Sequence, residues 1–167
     1  MKKIVVFSII AFLAVIGITG LVRGIGSAVV QPLAYNHKIH VAEAGLECVD
    51  CHLRVNEHER ASIPNFELCS ECHEEAVGES QAEKALIEFI SEGRNIPWIQ
   101  VHVVPPHAYF SHRRHVSLGG IECTKCHGEV SAMTSPFTKA YEEVSMEWCI
   151  DCHRERHIPI DCSTCHR

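Results

Sequence analysis

YNHKIHVAEAGLECVDCHLRV at residues 35–55 and FSHRRHVSLGGIECTKCHGEV at residues 110–130 align without a gap, and nine of the twenty-one positions are identical. The shared residues spell H-x-x-H-V, a glycine, a glutamate, C-x-x-C-H and a valine. Each copy is followed by a second C-x-x-C-H, so the repeating unit is a two-motif module used twice, 35–73 and 110–153. A fifth motif at 162–166 is appended at the C-terminus. All ten cysteines of the chain lie in these motifs: CVDCH (48–52), CSECH (69–73), CTKCH (123–127), CIDCH (149–153) and CSTCH (162–166).

C-x-x-C-H is the attachment signature of c-type haem. Two thiols two residues apart add to the vinyl groups on one porphyrin edge, and the imidazole of the next residue then lies under the iron. Attachment is therefore assigned to Cys48, Cys51, Cys69, Cys72, Cys123, Cys126, Cys149, Cys152, Cys162 and Cys165. Proximal ligation falls to His52, His73, His127, His153 and His166. Zinc would join C-x-x-C pairs two by two, which five pairs do not allow evenly, and it leaves the histidines unexplained. A disulfide framework accounts for the even cysteine count but again not for the histidines. The expected cofactor content is five covalently attached haem c.

Aromatic residues are only 7% of the 167-residue chain, so a core of side chains alone would be thin. The expected fold is mainly α with extensive loops around a haem-filled core, unstable without the cofactor. Between the modules, SQAEKALIEFISEG (80–93) predicts an amphipathic helix with Ala82, Ala85, Leu86, Phe89 and Ile90 on one face. Ser80 and Glu83 suggest a capping box at its start, and Gly93 a stop. The VHVV run at 101–104, ahead of Pro105 and Pro106, reads as extended.

Ile4 to Val22 is an uncharged, predominantly apolar stretch, long enough to cross a hydrocarbon layer of roughly 30 Å as a helix. Lys2 and Lys3 precede it and only Arg23 closely follows, so the N-terminus is expected in the cytoplasm. Residues 1–28 then form one N-terminal transmembrane anchor, and 29–167 an exported domain on the periplasmic side of a bacterial cytoplasmic membrane. The alternative is a signal peptide cleaved near Gly26 or Ala28, although the apolar stretch exceeds the usual length of such a peptide. Beyond residue 28 the chain has 12 Lys and Arg against 21 Asp and Glu, a formal charge of −9. So acidic a domain does not suit nucleic acid, which needs clustered basic residues.

Eight histidines lie outside the motifs: His37, His40, His58, His102, His107, His112, His115 and His157. His37/His40 and His112/His115 recur at the same offsets before a cysteine, and one iron needs a single distal imidazole, so each pair should serve two haems. His58 and His157 sit in the charged stretches EHER and RERH and read as solvated. The fifth distal ligand must come from the remaining histidines or from Met133 or Met146. His102 is the choice, because VHVV lies at the junction of the modules.

The F/Y-N/S-H-x-x-H element ahead of C-x-x-C-H resembles the class III multihaem cytochromes. That resemblance implies that His37 ligates the haem at 48–52 and His112 the haem at 123–127, with His40 and His115 reaching neighbours. Over a wider span, QPLAYNHKIH (31–40), IPWIQVHVVPPHAYFSHRRHV (96–116), CHGEVSAM (126–133), VSMEWCIDCHR (144–154) and DCSTCHR (161–167) resemble the anchored pentahaem subunit of alternative complex III and the similar subunit of the menaquinone reductase complex. This wider resemblance also places a family histidine at His102. It implies partners: a quinone-binding membrane subunit, a large subunit related to molybdopterin oxidoreductases with iron–sulfur clusters, and a soluble cytochrome c.

The expectation is thus an electron-transfer subunit of a membrane quinol/quinone oxidoreductase complex, with no substrate chemistry of its own. A self-sufficient anchored quinol dehydrogenase serving a soluble reductase shares the anchor and the charge. A multihaem reductase enzyme needs a five-coordinate iron in a polar pocket, and no variant attachment motif marks one.

Overall fold

The computed structural model describes residues 28–166. The apolar stretch Ile4 to Val22, and with it the expected anchor, lies outside them. No helix among the described residues is long and apolar enough to cross a membrane. Those residues form short helices and irregular chain with no strand, only one isolated antiparallel bridge, Ala108 to His166. The helices are α1 (Cys48–Cys51), α2 (Phe66–Ser70), α3 (Gln81–Ser91), α4 (Thr124–His127), α5 (Met146–Glu155) and α6 (Cys162–Cys165). Except for α3, every one of them carries part of a C-x-x-C-H motif. Two π-helical turns, Ile39–Glu43 and Arg114–Leu118, and a 3-10 turn at Val130–Ala132 complete the set.

The duplicated sequence adopts a duplicated conformation. Each π turn begins within its H-x-x-H element and is followed, two residues past its end, by the shared glycine, Gly45 (φ +72°) or Gly120 (φ +58°). There the left-handed backbone lets the next N–H fold back: Leu46 N–H donates to His40 O and Ile121 N–H to His115 O, both at 3.1 Å. The two copies also pack reciprocally. Lys38 N–H donates to Met133 O at 3.0 Å, and Arg113 N–H donates to His58 O at 3.1 Å. Lys38 aligns with Arg113, and continuing the alignment without a gap pairs His58 with Met133. The contact is therefore one bond made twice in opposite directions, as about a two-fold axis.

The side-chain core is as thin as the composition predicts. Only Leu33, Val55, Phe89 and Ile96 are buried apolar residues among those described, and none follows residue 96. Leu33, Phe89 and Ile96 form one cluster with Phe66, Ala85, Leu86 and Trp98 around it, where α2 packs on α3. Asn65 ties this corner together: its Oδ1 accepts the N–H of Phe66 at 2.9 Å and of Ile96 at 2.7 Å. Trp98 Nε1–H donates to Pro64 O at 2.8 Å.

α3 runs over the predicted stretch, with Phe89 inward and Gly93 at φ +58° just past its end. Its cap differs from expectation. Ser80 Oγ accepts the Glu83 N–H at 3.0 Å, but the Glu83 carboxylate does not return to Ser80 and is used elsewhere. Residues 101–104 are irregular chain without a strand partner.

Gly128, directly after His127, lies at φ 67°, ψ −162°, a region nearly exclusive to glycine. A Cβ there would stand 2.6 Å from the Tyr141 ring. Gly128→Ala is expected to cost about 1–3 kcal/mol through backbone strain alone, with a further cost from displacing Tyr141. A thermal melt of the haem-loaded protein that matched the wild type would show that this turn is not constrained.

Candidate functional site

The candidate site is a row of facing imidazoles. His40 and His73 stand with ring centres 6.2 Å apart and planes tilted by 46°. In the second module His115 and His153 repeat this at 6.2 Å and 44°. His112 and His127 face each other at 6.5 Å, nearly parallel at 8°. A metal bound by two imidazoles holds their nitrogens at about 2.0–2.1 Å, and with ring bonds of about 1.3–1.4 Å each nitrogen lies roughly 1.2 Å from its ring centre. Facing centres in such a pair therefore stand about 6.4 Å apart. Three of the observed pairs meet that span.

Ring orientation is set by the other nitrogen. The Nδ1–H of His40 donates to Asn36 O at 2.9 Å and that of His115 to Ser111 O at 2.9 Å, the same bond in both copies. His52 donates to Ser62 O at 2.8 Å, and Ser62 takes a positive φ of 69° to present that carbonyl. His112 donates across the module interface to Glu59 O at 2.9 Å, and His153 to Pro159 O at 3.3 Å. His73 differs, donating to the Glu83 carboxylate at 2.8 Å. With Nδ1 committed, the tautomer leaves Nε2 as the free lone pair, the arrangement of a metal-binding histidine.

His37 lies beside His52. Burial first, then His52 and His40, pushes its pKa down to about 4, which keeps the ring neutral. Its Nδ1 is buried without a hydrogen-bond partner. Burial, then His102, His112 and His52, likewise lowers His127 to about 4. One aromatic residue braces each duplicated pair: Tyr35 meets His37 edge-on at 4.7 Å and stacks on His40 at 4.5 Å. Phe110 does the same to His112 at 4.8 Å and His115 at 4.6 Å. The F/Y position of the duplicated element thus braces both rings of its own H-x-x-H pair.

A further facing pair is His107 with His166, where the sequence pointed to His102. His107 stacks on His166 with centres 5.5 Å apart and planes at 21°, so these rings need to part by about 1 Å to span a metal. His166 Nδ1–H donates to His107 O at 3.0 Å, and the Ala108–His166 bridge holds the two strands of chain together. His102 instead meets His127 and Phe137 edge-on at 4.5 and 4.7 Å. Its Nε2 accepts the Tyr141 N–H at 3.1 Å, so the nitrogen suited to a metal is already engaged. Nothing local marks His107, because its partner motif lies outside the duplication. His58 and His157 are exposed, and Met146 is 66% exposed.

None of the ten cysteines is paired in a disulfide, and their neighbourhoods order the motifs. Burial first, then Asp50, Cys72 and Cys48, raises the Cys51 thiol; burial first, then Cys51, raises the Cys69 thiol. Cys123 is raised by burial and then by Cys48, to which its thiol is hydrogen-bonded. Cys126, again raised first by burial, neighbours Cys152 and Cys149, while Cys149 neighbours Cys165. Neighbouring thiols thus link the motif at 69–73 to 48–52, and onward to 123–127, 149–153 and 162–166. Among the described residues no three of His, Cys, Asp and Glu converge as a metal cage of their own. The donors instead form opposed pairs with a thiol pair beside each, which fits a planar cofactor carrying its own equatorial ligands.

A protein of Nitratidesulfovibrio vulgaris (strain Hildenborough), named menaquinone reductase, multihaem cytochrome c subunit, is 29% identical over 162 residues, covering 82% of this chain and 77% of the relative. The family described as cytochrome c7 and related cytochrome c matches residues 33–86 and 108–167, two segments that each contain one copy of the duplicated module. The chain belongs to this cytochrome c7 and related cytochrome c family, and it is a multihaem electron-transfer protein.

Proposed function

We propose that this chain is the membrane-anchored, five-haem electron-transfer subunit of a quinone-linked oxidoreductase complex, with its haem domain on the periplasmic side. The observation that carries the reading is the set of opposed imidazoles at metal-spanning distance, each with a motif histidine on one side. Bound haem c supplies a one-electron couple. The chain's own residues attach it through the ten motif cysteines and saturate it from both sides, which leaves no open position for a substrate.

The ligand pairs in this reading are His37 with His52, His40 with His73, His112 with His127, His115 with His153 and His107 with His166. His107 replaces His102 as the fifth distal ligand, supported by its facing position and by the engaged Nε2 of His102. The thiol neighbourhoods support a linear relay whose ends are the sites at 69–73 and 162–166. The similarity to a menaquinone reductase subunit supports membership of a quinone-linked complex, and the family resemblance of the sequence implies a quinone-binding membrane subunit and an iron–sulfur, molybdopterin-oxidoreductase-like subunit as partners. A soluble cytochrome c is a further candidate partner.

One isolation tests the whole reading. The chain is expected to stay in carbonate-washed membranes, to leave detergent extracts with those subunits, and to retain five haems per chain after denaturation. A pyridine haemochrome ratio of two or three would mean unused motifs. Release from the membranes with an N-terminus near Val29 would mean a cleaved leader, and isolation without partners would favour the self-sufficient quinol dehydrogenase.

A further inference from the structure

Seven imidazoles donate Nδ1–H to an oxygen, and in six the acceptor is a neutral backbone carbonyl. The exception is His73, whose acceptor is the carboxylate Oε1 of Glu83 at 2.8 Å. The two side chains are 19% and 13% exposed, so solvent screens the contact weakly. The same Oε1 accepts the Val77 N–H at 3.1 Å, which fixes the carboxylate in place. Among the described residues no lysine or arginine pairs with Glu83.

The duplication supplies an internal comparison. His40/His73 and His115/His153 share the same ring separation and nearly the same tilt. The bonds to His40 and His115 are also the same in both copies. Only the motif histidines differ: His153 faces the carbonyl of Pro159 at 3.3 Å, where His73 faces a carboxylate. That carboxylate comes from α3, the inter-module helix, and Glu83 gives up the reciprocal half of its own capping box to make the contact.

A carboxylate taking the Nδ1–H makes the imidazole a more basic ligand, and its charge lies against the metal site. Both effects favour the oxidised metal, which carries one more positive charge than the reduced one, and so lower the midpoint potential. We infer that Glu83 is a positioning residue that makes the site of Cys69, Cys72 and His73 the lowest-potential centre of the chain. This rests on the reading of His73 as a haem ligand. It would place the steepest potential difference at one terminus of the relay.

The test is a redox titration of the purified five-haem protein, followed optically and by electron paramagnetic resonance. Glu83→Gln keeps an oxygen that can accept both N–H groups but removes the charge. It is expected to shift one haem about tenfold toward reduction, about 59 mV for a one-electron couple, by raising the lowest midpoint and leaving four unchanged. Glu88→Gln, which removes a carboxylate from the exposed side of the same helix, is expected to move none. An unmoved lowest midpoint in Glu83→Gln, or an equal shift in Glu88→Gln, overturns the inference. In the wild type, one of the low-spin ferric signals should carry the strengthened ligand field of a partly deprotonated imidazole. Its absence also overturns the inference, even where the variant cannot be purified. A haem count below five, or a peptide of residues 69–73 without haem, would instead sink the haem reading itself.

Discussion

In the five-haem protein proposed above, replacing His107 with alanine is expected to turn one haem from low-spin to high-spin, while His102→Ala leaves every haem low-spin. The variant is a clean probe because His166 Nδ1–H donates to the backbone carbonyl of His107, which alanine retains. The Ala108–His166 bridge and the Tyr109 N–H to Cys165 O bond at 2.8 Å are backbone contacts too. The proximal side therefore stays in place and only the facing ring is lost. His102→Ala removes an acceptor for the Tyr141 N–H and an edge contact to His127, a stability effect of about 1 kcal/mol with no change of axial ligand. Ferric electron paramagnetic resonance and resonance Raman spectra of the two variants decide between them. High-spin haem in His102→Ala alone would return the fifth place to His102. Low-spin haem in both, with a thioether charge-transfer band, would give it to Met133 or Met146.

The second large effect concerns which haem the fold can lose. Cys123→Ser with Cys126→Ser is expected to abolish accumulation of folded protein, whereas Cys162→Ser with Cys165→Ser leaves a folded chain with four haems. The difference follows from where side chains fill space. No apolar residue after Ile96 is buried among those described, so the second module has no core of its own. The motif at 123–127 lies on the module interface, with Cys123 against Cys48 and His127 among His112, His102 and His52. Removing a cofactor there leaves a void that nothing nearby can fill, and even a cavity of one large side chain costs about 2–5 kcal/mol. The appended motif at 162–166 joins the rest through the Ala108–His166 bridge and a few backbone bonds, so its loss is local. Haem content per chain and yield of folded protein in membranes measure both. Equal yields for the two double variants would show that the interface does not depend on its central cofactor.

How much was legible without coordinates depended on whether the controlling contacts are local. C-x-x-C-H places two thiols and an imidazole on one short turn, so spacing alone marks the candidate attachment positions. The H-x-x-H duplication was readable for the same reason, since matching residues at matching offsets need no knowledge of the rest of the chain. The length of α3 and its inward Phe89 followed from apolar periodicity. The thin core followed from composition.

Other features required the tertiary structure, because they join residues far apart in the chain whose pairing no periodicity encodes. His107 faces His166 across fifty-nine positions. His102, the residue favoured by its place at the module junction, accepts the Tyr141 backbone N–H at its Nε2. The capping pattern at Ser80 and Glu83 predicted a local bond, and a partly buried histidine ten residues earlier offered the carboxylate a stronger partner. The neighbour order of the motif thiols departs from their order in sequence, with 48–52 lying between 69–73 and 123–127. The reason is the reciprocal contact of the two modules, Lys38 to Met133 and Arg113 to His58, which brings the first motif of each copy to the shared interface and leaves the second outside. Covalent chemistry and repetition are properties of the sequence by itself; which imidazole faces which, and in what order the sites touch, is decided when the two copies close on each other.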